Sequence, residues 1–270
     1  MAGQVDGARG EQVHGFTRIA ADGKREWIVR PVAVEMPVAL EFNGIGYAVL
    51  MASPSDVADL VAGFALSERL ISGRDDFLGF DTHQTPDGLL VRVQLAADCS
   101  DLVLERVRHR VAESSCGLCG IENLEQALRP LPRVEAVSGA SDTAIFHALE
   151  RLDTMQPRHL NTGGMHAAAL CTANGEPILV REDIGRHNAF DKLIGAMLTG
   201  GIGWDGGFAL LSSRCSYELV EKAVLAGCPL LVTLSAPTTL ALCRAGEAGL
   251  RVVVLARRDA MLAAGEEDAA

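Results

Sequence analysis

The sequence has few aromatic residues and a shortage of basic ones, and each shortage limits what the protein can be. Aromatic residues make up 4% of the 270 residues, so aliphatic side chains must form most of the core. Lys and Arg number 24 against 35 Asp and Glu, which gives a formal net charge of −11. This acidic excess argues against a broad nucleic-acid surface but is compatible with a local basic pocket for one phosphorylated ligand.

Long apolar segments are also absent from the sequence. No window of about 18 apolar residues occurs, so we expect no membrane-spanning helix. The first ten residues are polar and Gly-rich and lack the apolar core of a secretory signal. The seven cysteines are an odd number and occur mostly singly in apolar runs, which favours reduced thiols in the cytoplasm over a disulfide framework.

Short apolar segments between turn residues predict the secondary structure of the first half. The pattern predicts strands at 27–34, 37–42 and 47–51, a helix that begins at Ser53-Pro54-Ser55-Asp56, and a hairpin of 77–82 with 89–95. In that helix Ser53 is the expected cap and Pro54 the first helical residue. The stretch after this hairpin, which includes the cysteine pair at 116 and 119, shows little clear periodicity, and a short helix is expected from 122 to 128. Pro130-Leu131-Pro132 would break that helix and marks a boundary between two subdomains.

The second half alternates between strand and helix patterns. Ser141 is expected to cap a helix that runs to about 155. The pattern then predicts strands at 167–172, 177–181, 208–212, 230–235 and 251–255, with helices at 188–198, 216–226 and 238–247. This order implies a sheet with parallel strands and helices packed on it. We therefore expect an N-terminal subdomain at 16–130 that ends with the cysteine pair, a core at 138–260, and loose termini at 1–15 and 262–270.

Two thiols three residues apart occur in Ser114-Ser115-Cys116-Gly117-Leu118-Cys119-Gly120, where the glycines leave both sulfurs uncrowded. A structural zinc site needs four ligands, but the other cysteines form no second Cys-x-x-Cys, and His109 and His166 lack ligand-like spacing. A thioredoxin-like pair would follow a strand, and no convincing strand precedes Ser114. Metal binding, redox cycling and simple packing stay open. We expect accessible thiols on a mobile loop, which suits persulfide transfer best.

Polar turns next to predicted strands supply the candidate binding residues. Free N–H groups at a helix start, with Arg and Lys nearby, can hold a phosphate or carboxylate, and ligands often bind at the carboxyl ends of strands in open α/β sheets. The alternative for each turn is an ordinary polar helix cap with local ion pairs, and for His166 a hydrogen-bonded core residue. The candidates from these turns are Thr162, Gly163, Gly164, His166, Asp183, Arg186, His187, Asn188, Lys192, Ser213, Arg214, Ser216 and Ser235.

Three motifs in this order resemble those of the FdhD family, over most of the chain from about 37 to 255. They are Cys-Gly-Leu-Cys-Gly at 116–120, Thr-Gly-Gly-Met-His-Ala-Ala-Ala-Leu at 162–170, and Val-Arg-Glu-Asp-Ile-Gly-Arg-His-Asn-Ala-Phe-Asp-Lys-Leu-Ile-Gly at 180–195. The resemblance implies an α/β fold with a three-layer core similar to cytidine deaminase and a smaller N-terminal α+β subdomain.

The resemblance also implies a function as a sulfur carrier. The family takes persulfide sulfur from a cysteine desulfurase and delivers it to the molybdenum bis(molybdopterin guanine dinucleotide) cofactor that formate dehydrogenase needs. Cys116 matches the position of the persulfide and Cys119 that of its partner. The resemblance further implies a homodimer, no intrinsic metal, and a cofactor-binding segment made of Leu255, Ala256, Arg257, Arg258, Asp259 and Ala260.

Two other classes of function stay open on the sequence. A zinc deaminase-like hydrolase would need a metal-binding His followed by a Glu and two later thiols, but the chain has His187-Asn188-Ala189 and then the single thiol of Cys215. Loss of the Glu alone would remove a rate contribution of roughly 10²–10⁴. The third possibility is a non-catalytic chaperone that binds the nucleotide cofactor for an apo-enzyme.

Overall fold

The first part of the chain forms a two-stranded ribbon and a four-stranded sheet in the computed structural model, which describes residues 10–111 and 129–265. Its elements are β1 (Glu11–Ile19), β2 (Arg25–Ala33), β3 (Met36–Phe42), β4 (Ile45–Ala52), α1 (Val57–Ser67), β5 (Phe77–Thr85), β6 (Gly88–Leu95) and α2 (Ser100–Val111). The ribbon pairs β1 with β2 in antiparallel register, and the sheet has the order β4-β3-β6-β5. Helix α1 packs its apolar side on this sheet, where Leu60 and Phe64 join the same buried cluster as Leu40 and Val91.

Three local predictions in this part need correction. Helix α1 begins at Val57, because Asp56 has a left-handed backbone with φ of 54° and Ser53 is buried before it. Helix α2 was not predicted from the sequence. Charged residues interrupt its apolar positions, so the stretch shows little periodicity. Strand β1 includes residues 11–15, which were expected to be loose; most of its side chains are exposed on both faces, so it lacks a clear apolar alternation.

The second part forms a six-stranded sheet between two layers of helices. Its elements are α3 (Asp142–Leu152), α4 (Pro157–Thr162), β7 (His166–Cys171), β8 (Pro177–Asp183), α5 (Arg186–Gly200), β9 (Phe208–Leu211), α6 (Tyr217–Leu225), β10 (Leu230–Thr233), α7 (Thr239–Ala248), β11 (Arg251–Val254) and β12 (Leu262–Ala263). The strand order is β12-β11-β10-β9-β7-β8, and β9, β10 and β11 run parallel. The expected α/β class is confirmed, and so is the Ser141 cap, whose Oγ accepts from the Ala144 N–H at 3.3 Å.

Burial on both faces of this sheet explains its continuous apolar strands. In β7, Ala168 and Leu170 pack against α5, α6 and α7, whereas Ala167, Ala169 and Cys171 pack against α3. Successive strand residues point to opposite faces, so a strand covered on both sides needs an apolar residue at every position. The run Ala-Ala-Ala-Leu-Cys meets that requirement.

Helices α1 and α5 join the two parts by backbone contact. A Cβ added at Gly63 would lie 1.8 Å from the carbonyl oxygen of Asp191, and one added at Gly195 would lie 1.8 Å from that of Asp59. Only glycine allows the two helices to approach this closely. The N-terminal sheet is thereby held against the layered core. Within the described residues, no helix is both long enough and apolar enough to cross a membrane.

Candidate functional site

The predicted polar turns meet at one edge of the six-stranded sheet. The Ser235 N–H donates to the Ser213 carbonyl at 3.3 Å, and the Leu255 N–H donates to the Ser235 carbonyl at 3.3 Å. The turns that follow β9, β10 and β11 therefore lie side by side. Because β7 runs antiparallel to β9, its first residue, His166, lies at the same edge. Parallel strands bring their carboxyl ends together, which is why motifs far apart in sequence converge here.

A cavity of about 440 Å³, which we call the sheet-edge pocket, opens at this edge. Its walls include Gln156, His159, Gly163, Gly164, His166 and Ser212. Of the predicted binding residues, Gly163, Gly164 and His166 line it directly. The sequence did not indicate Gln156 or His159. Pro157 could have indicated the start of α4, the helix that contains His159 and follows directly after Gln156.

The glycine turn that forms one wall is held by its neighbours. Gly163 ends α4 with a left-handed φ of 72°, a conformation that favours glycine even though a Cβ would meet no atom within 4 Å. The Thr162 hydroxyl donates to the Arg158 carbonyl at 2.8 Å and accepts from the Gly164 N–H at 3.2 Å. At the other end of α4, the buried Glu182 carboxylate accepts the N–H groups of Arg158 and His159, at 3.1 and 2.7 Å. These contacts fix the wall.

His166 presents a neutral imidazole to the pocket. Its Nδ1 lies 3.3 Å from the Ser212 Oγ, which accepts from the Ala167 N–H at 2.9 Å. Burial lowers the pKa of His166, and the positive charge of Arg186 lowers this pKa further. The ring can therefore exchange hydrogen bonds with a ligand at neutral pH without adding a charge.

Asp183, Asn188 and Lys192 are buried and do not line the sheet-edge pocket, although Asn188 also lines a second cavity, described next. The Lys192 Nζ lies 2.6 Å from Asp183 Oδ2, with both side chains fully buried. The Asn188 amide donates to Asp183 Oδ1 at 3.1 Å and to the Met51 carbonyl at 2.8 Å. The Ser53 N–H donates to Asp183 Oδ2 at 3.0 Å, and the Ser53 carbonyl accepts from Lys192 at 3.1 Å. This buried network ties the end of β4 to the turn between β8 and α5.

His187 faces a second cavity, which we call the helix cavity, on the other side of that turn. This cavity of about 280 Å³ is lined by Phe64, Glu68, Arg129, His187, Glu218 and Lys222, among others. The His187 Nε2 lies 2.7 Å from Glu218 Oε2, and this contact lowers the pKa of Glu218. Ile184 lines the sheet-edge pocket, so two residues three positions apart, one in the turn after β8 and one at the start of α5, line the two cavities.

The segment with Cys116 and Cys119 lies outside the described residues, as does the helix predicted at 122–128. Among the described residues near this segment, Arg129 lines the helix cavity and Arg106 contacts a residue that lines it. Arg106 of α2 donates to the Glu68 carbonyl at 3.2 Å, and Glu68 lines the cavity. Arg129 is the first described residue after this segment and lines the same cavity. Its carbonyl accepts a hydrogen bond from the Arg244 side chain.

The other predicted residues after β9 differ in exposure. Ser213 is buried, Arg214 is exposed, and Ser216 precedes α6 without a side-chain cap hydrogen bond. Ser216 Oγ and Arg186 Nε are buried polar atoms that have no hydrogen-bond partner among the described residues. Both atoms stand at helix starts beside the turn after β8, and each has capacity for a further hydrogen bond.

The segment expected to bind the cofactor forms a tight turn beside the sheet-edge pocket. Leu255 has a positive φ of 49°, Ala256 is buried, and the Arg257 N–H donates to the Ala260 carbonyl at 2.9 Å. Arg257, Asp259 and Ala260 are exposed. The exposed Arg258 Nη2 lies 2.6 Å from a carboxylate oxygen of Asp153, which lines the pocket. Within residues 10–111 and 129–265, no three or more His, Cys, Asp or Glu side chains are grouped to hold a metal ion.

Comparison with known proteins places this geometry in context. The model of the FdhD/NarQ family matches residues 33–265. The sulfur carrier protein FdhD of Variovorax paradoxus is 42% identical over 247 residues, which are 92% of this chain and 87% of that protein. The sulfur carrier protein FdhD of Xanthomonas euvesicatoria is 40% identical over 235 residues, covering 87% of this chain and 84% of that protein.

One solved structure has a similar fold. It is the crystal structure of a protein from Desulfotalea psychrophila that is described as a formate dehydrogenase accessory protein. The TM-score is 0.73 with 20% sequence identity, and the match covers 94% of this chain and 96% of that one. At this identity the likeness concerns the fold.

Proposed function

The chain belongs to the FdhD/NarQ family, and we propose that it carries sulfur as a persulfide on Cys116 from a cysteine desulfurase to a molybdenum cofactor destined for formate dehydrogenase. Cys119 is the partner thiol. The molybdenum bis(molybdopterin guanine dinucleotide) cofactor is cargo in this proposal, and a nucleotide end of it binds in the sheet-edge pocket. The chain acts in the cytoplasm as a homodimer.

The observation that supports this proposal most directly is the position of the two cavities. Arg129, the first described residue after the cysteine segment, lines the helix cavity, and the chain just after β8 contributes Ile184 to the sheet-edge pocket and His187 to the helix cavity. In the sequence, Cys116 lies 13 residues before Arg129. A sulfur carrier needs its thiol within range of the cofactor that it serves.

The residues of the sheet-edge pocket suit a nucleotide with phosphates. Neutral His166 can bond to a polar edge of the base, the glycine turn admits a ligand close to the backbone, and Arg257 and Arg258 lie at the neighbouring turn. Arginine is the side chain best matched to phosphate geometry. A phosphate at Arg258 would replace the exposed pair with Asp153, which is of small net value because water screens it.

Sulfur loading needs only a thiol exchange. The Cys116 thiolate attacks the outer sulfur of the desulfurase persulfide, a new S–S bond forms at Cys116, and the desulfurase cysteine leaves as a thiolate. The number of electrons is conserved in this step.

Mass spectrometry of the intact protein tests the loading step. After incubation with a cysteine desulfurase and cysteine, we expect an increase of about 32 Da that maps to Cys116 and is absent from Cys116→Ala. Cys243→Ala is the matched control. Cys243 is exposed, but Glu247 raises the pKa of its thiol, so we expect Cys243 to gain no sulfur.

Other results would point to other functions. Failure of the adduct to form on Cys116 would contradict sulfur loading. If a Cys116→Ala, Cys119→Ala double variant still supported formate dehydrogenase, a non-catalytic chaperone would replace the sulfur carrier. One zinc ion per chain in the purified protein would favour a hydrolase.

A further inference from the structure

The ribbon of β1 and β2 has one apolar face that stays open among residues 10–111 and 129–265. Directly opposite residues of an antiparallel pair share a face, and so do alternate residues of one strand. The register places Gly15 opposite Val29, the fifth of nine opposed pairs. The large apolar side chains on this face are each between 61% and 70% exposed: Val13, Ile19, Trp27 and Val29. We call this surface the ribbon face.

Gly15 lets the indole of Trp27 lie flat on the ribbon face. A Cβ added at Gly15 would be 2.1 Å from the indole carbon Cζ2 and 2.7 Å from Cη2, so a larger residue would push the ring away. The ring packs on backbone from one side, yet Trp27 is still 70% exposed. An aromatic side chain that is already held in place loses little entropy on binding, and tryptophan is prominent among the residues that dominate protein interfaces.

Helix α4 supports the ribbon at its base. The Asn161 amide donates to the Glu11 carboxylate at 3.3 Å, and a Cβ at Gly164 would lie 3.7 Å from the Cβ of Ala33. Each strand has nine residues, so the ribbon is about 30 Å long. A two-stranded ribbon is marginally stable in water unless a further element covers its apolar face. Within the described chain, the four side chains of the ribbon face lack such a cover.

The size of the ribbon face suits a specific protein partner. Its four apolar side chains expose roughly 450 Å², with about 150 Å² from the indole and about 100 Å² from each aliphatic chain. A standard interface buries about 800 Å² on each partner, of which slightly more than half is apolar. The ribbon face would thus supply the apolar centre of one such interface.

The charges at the two ends of the ribbon indicate a second copy of this chain as the partner. At the tip, Arg25 is exposed and has no ion-pair partner among the residues that the structure describes, and nearby Asp22 pairs with Lys24 at 2.9 Å. The base carries Glu11 and the exposed Glu35. Two ribbons packed face to face in opposite directions about a two-fold axis place the tip of each over the base of the other. An anionic bilayer would instead be repelled by the acids at the base and by the net charge of −11.

We propose that the ribbon face binds the ribbon face of a second copy of this chain about a two-fold axis near Val29. The Trp27 ring of one copy packs near Pro31 of the other, because these residues stand in the seventh and third opposed pairs, equally far from the fifth. Arg25 of one copy comes within reach of Glu35 of the other. This inference rests on the proposed function for the homodimer and deepens it by naming the surface.

Sedimentation velocity of the full chain tests this surface. The parent protein should form a dimer, and Trp27→Ser should raise its dissociation constant about 100-fold or more, because a central aromatic side chain is lost twice per dimer. Leu78→Ser is the matched control: Leu78 is 64% exposed on β5, outside the ribbon, so the dissociation constant should stay unchanged. Arg25→Glu should raise the constant about tenfold, and adding Glu35→Arg should restore it.

Fluorescence of Trp27 reports on the same surface directly. The chain has two tryptophans, so Trp27 is the only one left in a Trp204→Phe variant. Its emission should move to shorter wavelength as the protein concentration rises through the dissociation constant, because the indole leaves water. Circular dichroism of each variant checks that the fold is intact.

The outcomes separate this inference from the proposed function. A protein that stays monomeric up to about 100 μM, or a dimer that Trp27→Ser leaves unchanged, would overturn the ribbon interface. A dimer in which the Trp27 emission does not move would place the contact elsewhere and refute it too. Emission that moves only when phosphatidylglycerol vesicles are added would replace the second copy by a lipid surface. Sulfur loading of Cys116 is measured by mass on the same samples, so loss of that adduct counts against the proposed function and not against the interface.

Discussion

Replacing Lys192 with methionine should destabilise the protein by removing the only cation from the buried network of the described residues. Lys192 Nζ lies 2.6 Å from Asp183 Oδ2 and 3.1 Å from the Ser53 carbonyl. Removing one partner of a buried pair typically costs about 3–5 kcal/mol, because an uncompensated charge remains inside. The Asp183 carboxylate would keep three N–H donors, from Ser53, Gly185 and Asn188. We therefore expect a loss at the lower end, about 3 kcal/mol.

Urea denaturation followed by circular dichroism measures this loss, with Lys24→Met as the matched control. Lys24 makes a 2.9 Å ion pair with Asp22, but its side chain is 85% exposed, so its loss should change the free energy of unfolding by less than about 1 kcal/mol. The reasoning would be refuted if Lys192→Met cost no more than Lys24→Met.

Two further predictions concern helix contact and the pocket histidine. Gly63→Ala should lower the free energy of unfolding by about 3 kcal/mol, because its Cβ would lie 1.8 Å from the Asp191 carbonyl oxygen. The control is Gly246→Ala, at an exposed helix position with no atom within 4 Å, which should raise the free energy of unfolding by about 0.5 kcal/mol. Equal effects of the two substitutions would contradict the close approach of the helices. In NMR titrations the His166 ring should have a pKa below about 6.5, and Arg186→Gln should raise that pKa without restoring it fully, because burial remains the larger cause. The unfolded chain protonates His166 more readily than the folded chain, so this residue lowers the free energy of unfolding as the pH falls below about 6.5. A measured ring pKa at or above about 6.5 would contradict the burial of His166.

Local patterns were enough to predict most of the core. Strands with an apolar residue at each position, as in β7, need cover on both faces, and the alternation of such strands with helical patterns implies the layered sheet. The polar turns around Ser213 and Ser235 follow neighbouring parallel strands, and the backbone hydrogen bond between them shows that they lie side by side. These features depend on sequence neighbours and on general rules for parallel strands.

Long-range partners account for what the sequence did not predict. Ser53 has the local pattern of a helix cap, yet its N–H is bonded to Asp183, which is 130 residues away. Lys192 and Asn188 stand in a motif rich in charged and polar residues, a composition that is equally typical of a phosphate site. Only the fold shows that β4 supplies partners for these side chains, through Ser53 and Met51. The short-range pattern is the same whether such groups face a ligand or each other.

The motif from 180 to 195 therefore combines residues of the buried network, such as Asp183, with residues that line the cavities, such as Ile184 and His187. Asp183 accepts the Gly185 N–H at 2.8 Å, so the buried carboxylate shapes the turn from within. On the outside of that turn, Ile184 lines the sheet-edge pocket and His187 lines the helix cavity. A turn that contributes to two cavities keeps both linings in place only if its backbone keeps one conformation. The fully buried pair with Lys192 provides that rigidity, because any shift of the turn would leave a charge without its partner in the interior.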